Sequence, residues 1–301
     1  MNQNFLHDIK NRTGGQEWLD NIPNLLTYFE KDWNLKIGKP YDLSYNYVAP
    51  ATRNTGDKLV IKIDFPGNEG YLSEVAALKL FNGEGSINLI SSNDENMTML
   101  LEQAVPGKRL NKLSEDETQT KILASIIKRI SRKVPEKHDF KLVSELSSHI
   151  PKYKKRFSGS NNPLSLYLLD KTEFMLNGLI SSTSNIVVMH GDLHQGNILS
   201  SDREGWLAID PNGIVGDPCF ETGAMMRNPY PTLAKKTNLK EILIKRIEIL
   251  ADELNFERNR ILQWSFVQTM LSIIYRIEDH GDTAWHSPMK VAEVLDEIKY
   301  N

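Results

Sequence analysis

Hydrophobic and polar positions divide the chain into two unlike halves. Residues 17–33 carry Trp18, Leu19, Ile22, Leu25, Leu26, Phe29 and Trp33 at helical spacing, interrupted by Pro23. Strand-like runs follow at 41–48 and 58–65, separated by a turn at 54–57. The spacing predicts a helix over 69–81, with Leu72, Val75, Ala76 and Leu80 on one side, and a short apolar strand at 97–101. Pro106-Gly107 then breaks the pattern. From Ser114 onward the pattern is mainly helical. Ser114 and Glu117 read as a capping box opening a helix that turns Ile122, Ile126, Ile127, Ile130 and Val134 inward. Further helices are predicted over 164–180, 239–255, 258–279 and 289–298; the third is apolar on most faces and reads as a core element. One island of strands interrupts them, at 186–190, 197–200 and 206–210, around a turn at 202–205. The reading is α+β: a small β-rich lobe, then a larger, mainly helical lobe with an embedded hairpin, and a cleft between the two.

Composition narrows the function classes. The 301 residues suffice for one large or two modest domains. Lys and Arg number 36 against 39 Asp and Glu, so the basic excess of a nucleic-acid binder is missing. The basic runs at 128–137 and 152–156 read as solvated helix faces. A single cysteine, Cys219, excludes an internal disulfide framework and a CxxC zinc site, and reads as structural. No run approaches the ~18–20 apolar residues of a membrane span, and the polar N-terminus lacks a signal-like apolar stretch. A soluble, cytoplasmic protein is expected, without nucleic-acid or membrane partners; oligomeric state is not legible.

The richest chemistry lies in the island: His190-Gly191-Asp192-Leu193-His194-Gln195-Gly196-Asn197, followed by Ile209-Asp210. Phosphoryl transfer needs a carboxylate to orient and deprotonate a hydroxyl, plus an amide oxygen and a second carboxylate to hold Mg²⁺. The spacing H-x-D-x-x-x-x-N supplies the first carboxylate and the amide, and Asp210 the second. Two histidines beside Asp192 raise a transition-metal site as the alternative, which Asn197, a poor zinc ligand, disfavours. Upstream, Lys62 sits amid apolar residues of a predicted strand, and Glu74 follows on the next helix as a partner. His190 reads as a loop-holding group. Asp217 reads as loop support, and Arg227-Asn228-Pro229 marks a helix end. Gly83-Glu84-Gly85 reads as a helix end rather than a phosphate loop.

The segment HGDLHQGNIL…WLAIDPNGIVGDPCFE…RNP closely resembles the aminoglycoside phosphotransferases, most of all the group of streptomycin 6-kinases and hydroxyurea phosphotransferases. The resemblance is strongest over 186–229 and weak in the first 40 and last 70 residues. It implies a two-lobed, protein-kinase-like fold: an N-lobe over 1–103 that binds nucleotide and includes the hinge, and a C-lobe over 104–301 with the catalytic loop. It implies ATP as donor, with GTP as an open alternative, and Mg²⁺. Lys62, set by Glu74, would steady the phosphates, and backbone groups around Leu101 and Gln103 would bond the nucleobase. Asp192 would be the catalytic base, with Asn197 and Asp210 on the metal. A cationic acceptor such as streptomycin would need carboxylates, for which Glu278, Asp279 and Asp282 lead, while Glu221 reads equally as an acceptor contact or as loop support. Two departures stand out. The loop Ser44-Tyr45-Asn46-Tyr47 lacks a glycine-rich signature, and Asp210 is followed by Pro211-Asn212 rather than Phe-Gly. Gly107-Lys108 does not complete a Walker A motif either. The rivals are a kinase of another small metabolite (hydroxyurea, a sugar or an amino alcohol) and a nucleotide-binding module without turnover, which the complete Lys, Glu, Asp, Asn, Asp set disfavours.

Overall fold

The computed structural model describes residues 3–157, 162–280 and 285–300. An antiparallel sheet builds the N-terminal lobe from β1 (Leu35–Ile37), β2 (Tyr47–Arg53), β3 (Lys58–Ile63), β4 (Leu89–Asn93) and β5 (Thr98–Glu102), in the order β1-β2-β3-β5-β4. Helices α1 (Gln3–Lys10) and α2 (Gly15–Asp32) cover one face, where Phe5, Ile9, Trp18, Ile22 and Phe29 pack with Ile61 and Ile63. Side chains alternate along a strand, so Ile61 and Ile63 facing these helices sends Lys62 to the other face, toward α3 (Tyr71–Phe81).

Two sequence expectations change here. The segment 41–46 is a loop, and the strand expected at 41–48 runs instead over Tyr47–Arg53, with Pro50 inside it. Proline offers no amide, but its carbonyl still accepts from Gly38 N at 2.8 Å. On α3 the buried face consists of Tyr71, Glu74, Val75, Ala77, Leu78 and Phe81, while Leu72 is exposed. Val75 is buried and Ala76 and Leu80 pack partly buried on the core, as expected; the apolar count misses that a charged residue, Glu74, belongs to the buried face.

The chain leaves the first sheet at Glu102 and enters a second at β6 (Pro106–Arg109). Helix α4 (Asp116–Ile130) follows; its N-cap is Glu115, without a side-chain cap, so the capping box expected at Ser114 does not form. After it come β7 (Arg132–Lys133), β8 (Lys141–Leu142), α5 (His149–Arg156), α6 (Leu166–Ser181) and β9 (Val187–Met189). The remaining elements are β10 (Ile198–Ser201), β11 (Gly205–Ala208), β12 (Ile214–Gly216), α7 (Gly223–Met226), α8 (Leu239–Leu254), α9 (Arg258–His280) and α10 (His286–Glu297). Helix α9 is the core element expected: Trp264, Val267, Met270, Leu271 and Ile274 are buried among α6, α7, α8 and α10. No helix among the described residues is long and apolar enough to cross a membrane.

The hairpin β10–β11 joins the two lobes. It pairs with β6, and Ala208 exchanges backbone bonds with Gly85 (2.9 Å) and Ile87 (3.0 Å). Arg203 at its tip reaches Glu102, at 2.8 and 3.0 Å, and the carbonyls of Gly83 and Ser86. The core is also shared, since Ala77 and Phe81 of α3 belong to the same cluster as Ile127, Leu193 and Val215. Together these contacts fix the loops at either end of the hairpin against α3.

Candidate active site

The loop between β9 and β10 is held from below. Glu221 is 2% exposed, and its carboxylate accepts from the amides of Gly191 (3.1 Å) and Leu193 (3.4 Å). Burial pushes the Glu221 carboxyl up to about 7 against the pull of those amides. His190 is buried; its Nδ1 accepts from Asp192 N at 3.2 Å, so Nε2 carries the proton donated to Ile209 O at 2.8 Å. Desolvation lowers His190 to about 4, so the ring is neutral at neutral pH. Gly191 has φ +86, and a Cβ there would stand 2.9 Å from Ile214 Cγ2, so only glycine fits the turn.

These bonds present Asp192 on the upper side of the loop. Asn197 Nδ2 donates to Asp192 O at 3.1 Å, and Ile209 N donates to Asn197 O at 2.9 Å, which ties the loop to the strand ending at Asp210. His194 Nδ1 accepts from Gly196 N at 2.9 Å, leaving Nε2 toward Asp192 Oδ2 at 3.7 Å. Arg227 Nη2 donates to Asp192 Oδ1 at 2.9 Å.

The opposite wall carries the cation. Lys62 Nζ donates to both Glu74 oxygens, at 2.6 and 2.7 Å, and to Asp210 Oδ1 at 3.0 Å. Burial would lower the Lys62 ammonium, but Asp210, Glu74 and Asp64 outweigh it and hold the group protonated. Burial likewise works to raise the Asp210 carboxyl, and Lys62 overcomes it, keeping Asp210 ionised. Asp210 adopts φ +57, a left-handed conformation that costs a non-glycine residue about 1–3 kcal/mol. The Asp210 side chain is half exposed, with only one oxygen on Lys62.

Lys62, Glu74, Asp192, Asn197 and Asp210 therefore converge, joined through Ile209. The other expected residues behave differently. Leu101 lies inside the sheet, paired with Val60 and Leu89; the amides of Glu102 and Gln103 donate to Asn88 O (2.9 Å) and Lys58 O (3.3 Å), and the Gln103 side chain bonds Tyr41 Oη at 2.8 Å. Nucleobase contacts through those two amides are thus already taken. Glu221, considered for an acceptor, is a buried support for the loop, because its oxygens face backbone amides. Asp217 has the same character, accepting from Cys219 N, Arg260 and Trp264 Nε1. Glu278 lies 3.8 Å from Arg156; Asp279 belongs to α9 without a described side chain, and Asp282 lies outside the described residues.

Residues unseen in the sequence also contribute. Asp64, two places after Lys62 in the chain, is buried, and its Oδ1 has no hydrogen-bond partner among the described residues. The two-residue spacing could have flagged it. Arg227, read from the sequence only as a helix end, gave no sign of this pairing, because it meets Asp192 from 35 residues away.

The donor set fits a hard divalent cation and polyphosphate. No cluster of three His, Cys, Asp or Glu side chains suited to a metal occurs among the described residues. An amide oxygen and a half-exposed carboxylate beside a lysine are what Mg²⁺ uses when phosphate and water complete its shell.

Comparison with known proteins identifies the family. Residues 38–281 match the family model described as aminoglycoside/hydroxyurea antibiotic resistance kinase. The streptomycin 6-kinase of Streptomyces griseus is 25% identical over 301 residues, covering 96% of this chain and 95% of that protein. The hydroxyurea phosphotransferase of Kitasatospora aureofaciens is 25% identical over 287 residues, covering 93% and 81%. Among solved structures, the choline kinase LicA of Streptococcus pneumoniae superposes with a TM-score of 0.66 at 15% identity, over 91% of this chain and 100% of that one, which shows the protein-kinase-like fold. With its loop, its Lys–Glu pair and 38–281 matched, the chain belongs to the aminoglycoside/hydroxyurea antibiotic resistance kinases and is a phosphotransferase.

Proposed function

We propose that the protein transfers the terminal phosphoryl group of ATP to a hydroxyl of a small molecule, with Asp192 as the base. The observation that carries this reading is the convergence of Lys62–Glu74–Asp210 and Asp192–Asn197, locked together by Ile209. The acceptor oxygen bonds to the γ-phosphorus as the bond to the β-bridging oxygen breaks; ADP leaves, and the hydroxyl proton passes to Asp192. Lys62 steadies the phosphates, and Glu74 keeps the ammonium in place. Asn197 and Asp210 would hold Mg²⁺, which when bound neutralises phosphate charge. Positioning and charge account for most of the rate, because little covalent chemistry falls to the protein in phosphoryl transfer.

For the acceptor, the family description and the full-length relatives support an aminoglycoside, streptomycin first. Of the acidic residues considered for it, Glu278 has a described side chain, and it lies 3.8 Å from Arg156. A neutral acceptor such as hydroxyurea is favoured by a different observation. Asp192 is faced by Arg227 and His194, and Arg276, stacked 4.1 Å over Tyr230, adds charge beside Arg227. A coupled assay of ADP release across streptomycin, other aminoglycosides, hydroxyurea, choline and sugars decides between them. Streptomycin-dependent release supports the first; turnover only with neutral acceptors removes streptomycin and leaves the chemistry intact.

A further inference from the structure

We propose that Arg227 is a positioning residue for phosphoryl acceptance: its guanidinium aims the Asp192 carboxylate at the acceptor hydroxyl. This inference rests on the reading of Asp192 as base. Arg227 follows α7, and its two terminal nitrogens point along different edges of one plane. Nη2 donates to Asp192 Oδ1 at 2.9 Å, and Nη1 donates to Gln268 Oε1 at 3.1 Å. Gln268, on the core helix α9, is itself fixed, since its Nε2 donates to Phe220 O. Gly223 makes room for it; a Cβ there would stand 2.5 Å from Gln268 Cδ. The plane of the guanidinium is therefore set by the rigid part of the C-lobe, not by the loop it serves.

The loop backbone does not need Arg227. Glu221 holds the amides of Gly191 and Leu193, His190 holds Ile209 O, and Arg109 Nη1 donates to Gly196 O at 2.8 Å. Arg227 instead binds the carboxylate itself, which is about one-third exposed and whose other oxygen has His194 no nearer than 3.7 Å. Without Arg227 that carboxylate is free to turn about its side-chain torsions. Burying a guanidinium is costly unless it is paired, and a fork fixes angle as well as distance, which an ammonium does not.

The test is a double-mutant cycle on the full chain, with single-turnover transfer from radiolabelled ATP to whichever acceptor the panel identifies. Arg227→Met should lower kcat about 100-fold, the usual effect of misplacing a catalytic group by an ångström. KM for ATP should stay within about two-fold. Arg227→Lys should recover only part of the loss. In an Asp192→Asn background, where Arg227 keeps a hydrogen-bond acceptor, Arg227→Met should cost nothing further. If Arg227→Met fails to fold, Gln268→Leu takes its place, keeping the charge but freeing its orientation, and should reproduce the loss in the wild type alone. Unchanged kcat, an equal loss in both backgrounds, or a parallel loss of ATP affinity would overturn the positioning role. Undiminished transfer by Asp192→Asn alone would instead bring down the base reading and this inference with it.

Discussion

Four charged groups, Lys62, Asp64, Glu74 and Asp210, share one wall of the cleft, and the lysine is the one cation among them. Removing it leaves Glu74 and Asp64 buried without their counter-charge. We expect Lys62→Met to lose about 3–5 kcal/mol of stability in urea unfolding at pH 7, together with nucleotide binding. Burial raises both carboxyls, Glu74 to about 7, so acidification to about pH 5.5 should protonate Glu74 and restore part of that stability. No recovery on acidification would mean that the charges are not the cause. His190 gives a pH effect of opposite sign. Its folded pKa is depressed to about 4, so the stability it contributes is present above about pH 6.5 and lost as pH falls through 4. The stability difference between wild type and His190→Gln should shrink by on the order of 2–3 kcal/mol between pH 7.5 and 4.5; a constant offset would contradict the neutral assignment. At this scale the sequence was informative wherever residue type and spacing carry chemistry, as with Lys62, Glu74 and the residues from Asp192 to Asp210. It marked Arg227 only as a helix end and was silent on Gln268, because pairing across 35 and 41 residues leaves no local pattern.

The elements position these residues through a few close approaches. Gly213, just past Asp210, has φ +64, and a Cβ there would lie 2.7 Å from Ser73 O on α3. Ser73 Oγ in turn donates to Gly213 O at 3.2 Å, so the loop after Asp210 rests directly on the helix that carries Glu74. Gly213→Ala should push α3 away, costing about 1–3 kcal/mol and weakening nucleotide binding as Glu74 leaves Lys62. Calorimetric nucleotide titration at wild-type affinity would show that the contact does not matter for the site. Long periodic helices were legible to within a few residues: α6, α8 and α9 lie close to 164–180, 239–255 and 258–279. The errors have physical causes. Pro50 and its alanine neighbours hid β2, because the strand is set by pairing with β3 rather than by its own propensity. On α3 the periodicity included the exposed Leu72 and missed Glu74, because pairing with Lys62 buries Glu74 and apolar periodicity does not register a buried ion pair.

The whole molecule places the two walls of the cleft on different lobes yet ties them by Arg203, by the backbone bonds of Ala208 and by a core that α3 shares with the C-terminal helices. That arrangement lets Lys62 and Asp192 keep a fixed relation, as the proposed transfer requires. The fold class and the order of lobes were legible because a β-rich segment precedes a helical one; the way the hairpin bridges them was not, since it depends on long-range register. The account as a whole stands on Asp192 acting as the base in a cleft that binds nucleotide independently of it. The most direct measurement is acceptor-dependent ADP formation by wild type and Asp192→Asn, each with its ATP affinity determined in parallel with Mg²⁺. We expect the substitution to lower turnover by about 10²–10⁴-fold while ATP affinity changes by less than about three-fold. Wild-type turnover by Asp192→Asn, or a wild type that binds no nucleotide, would contradict the account.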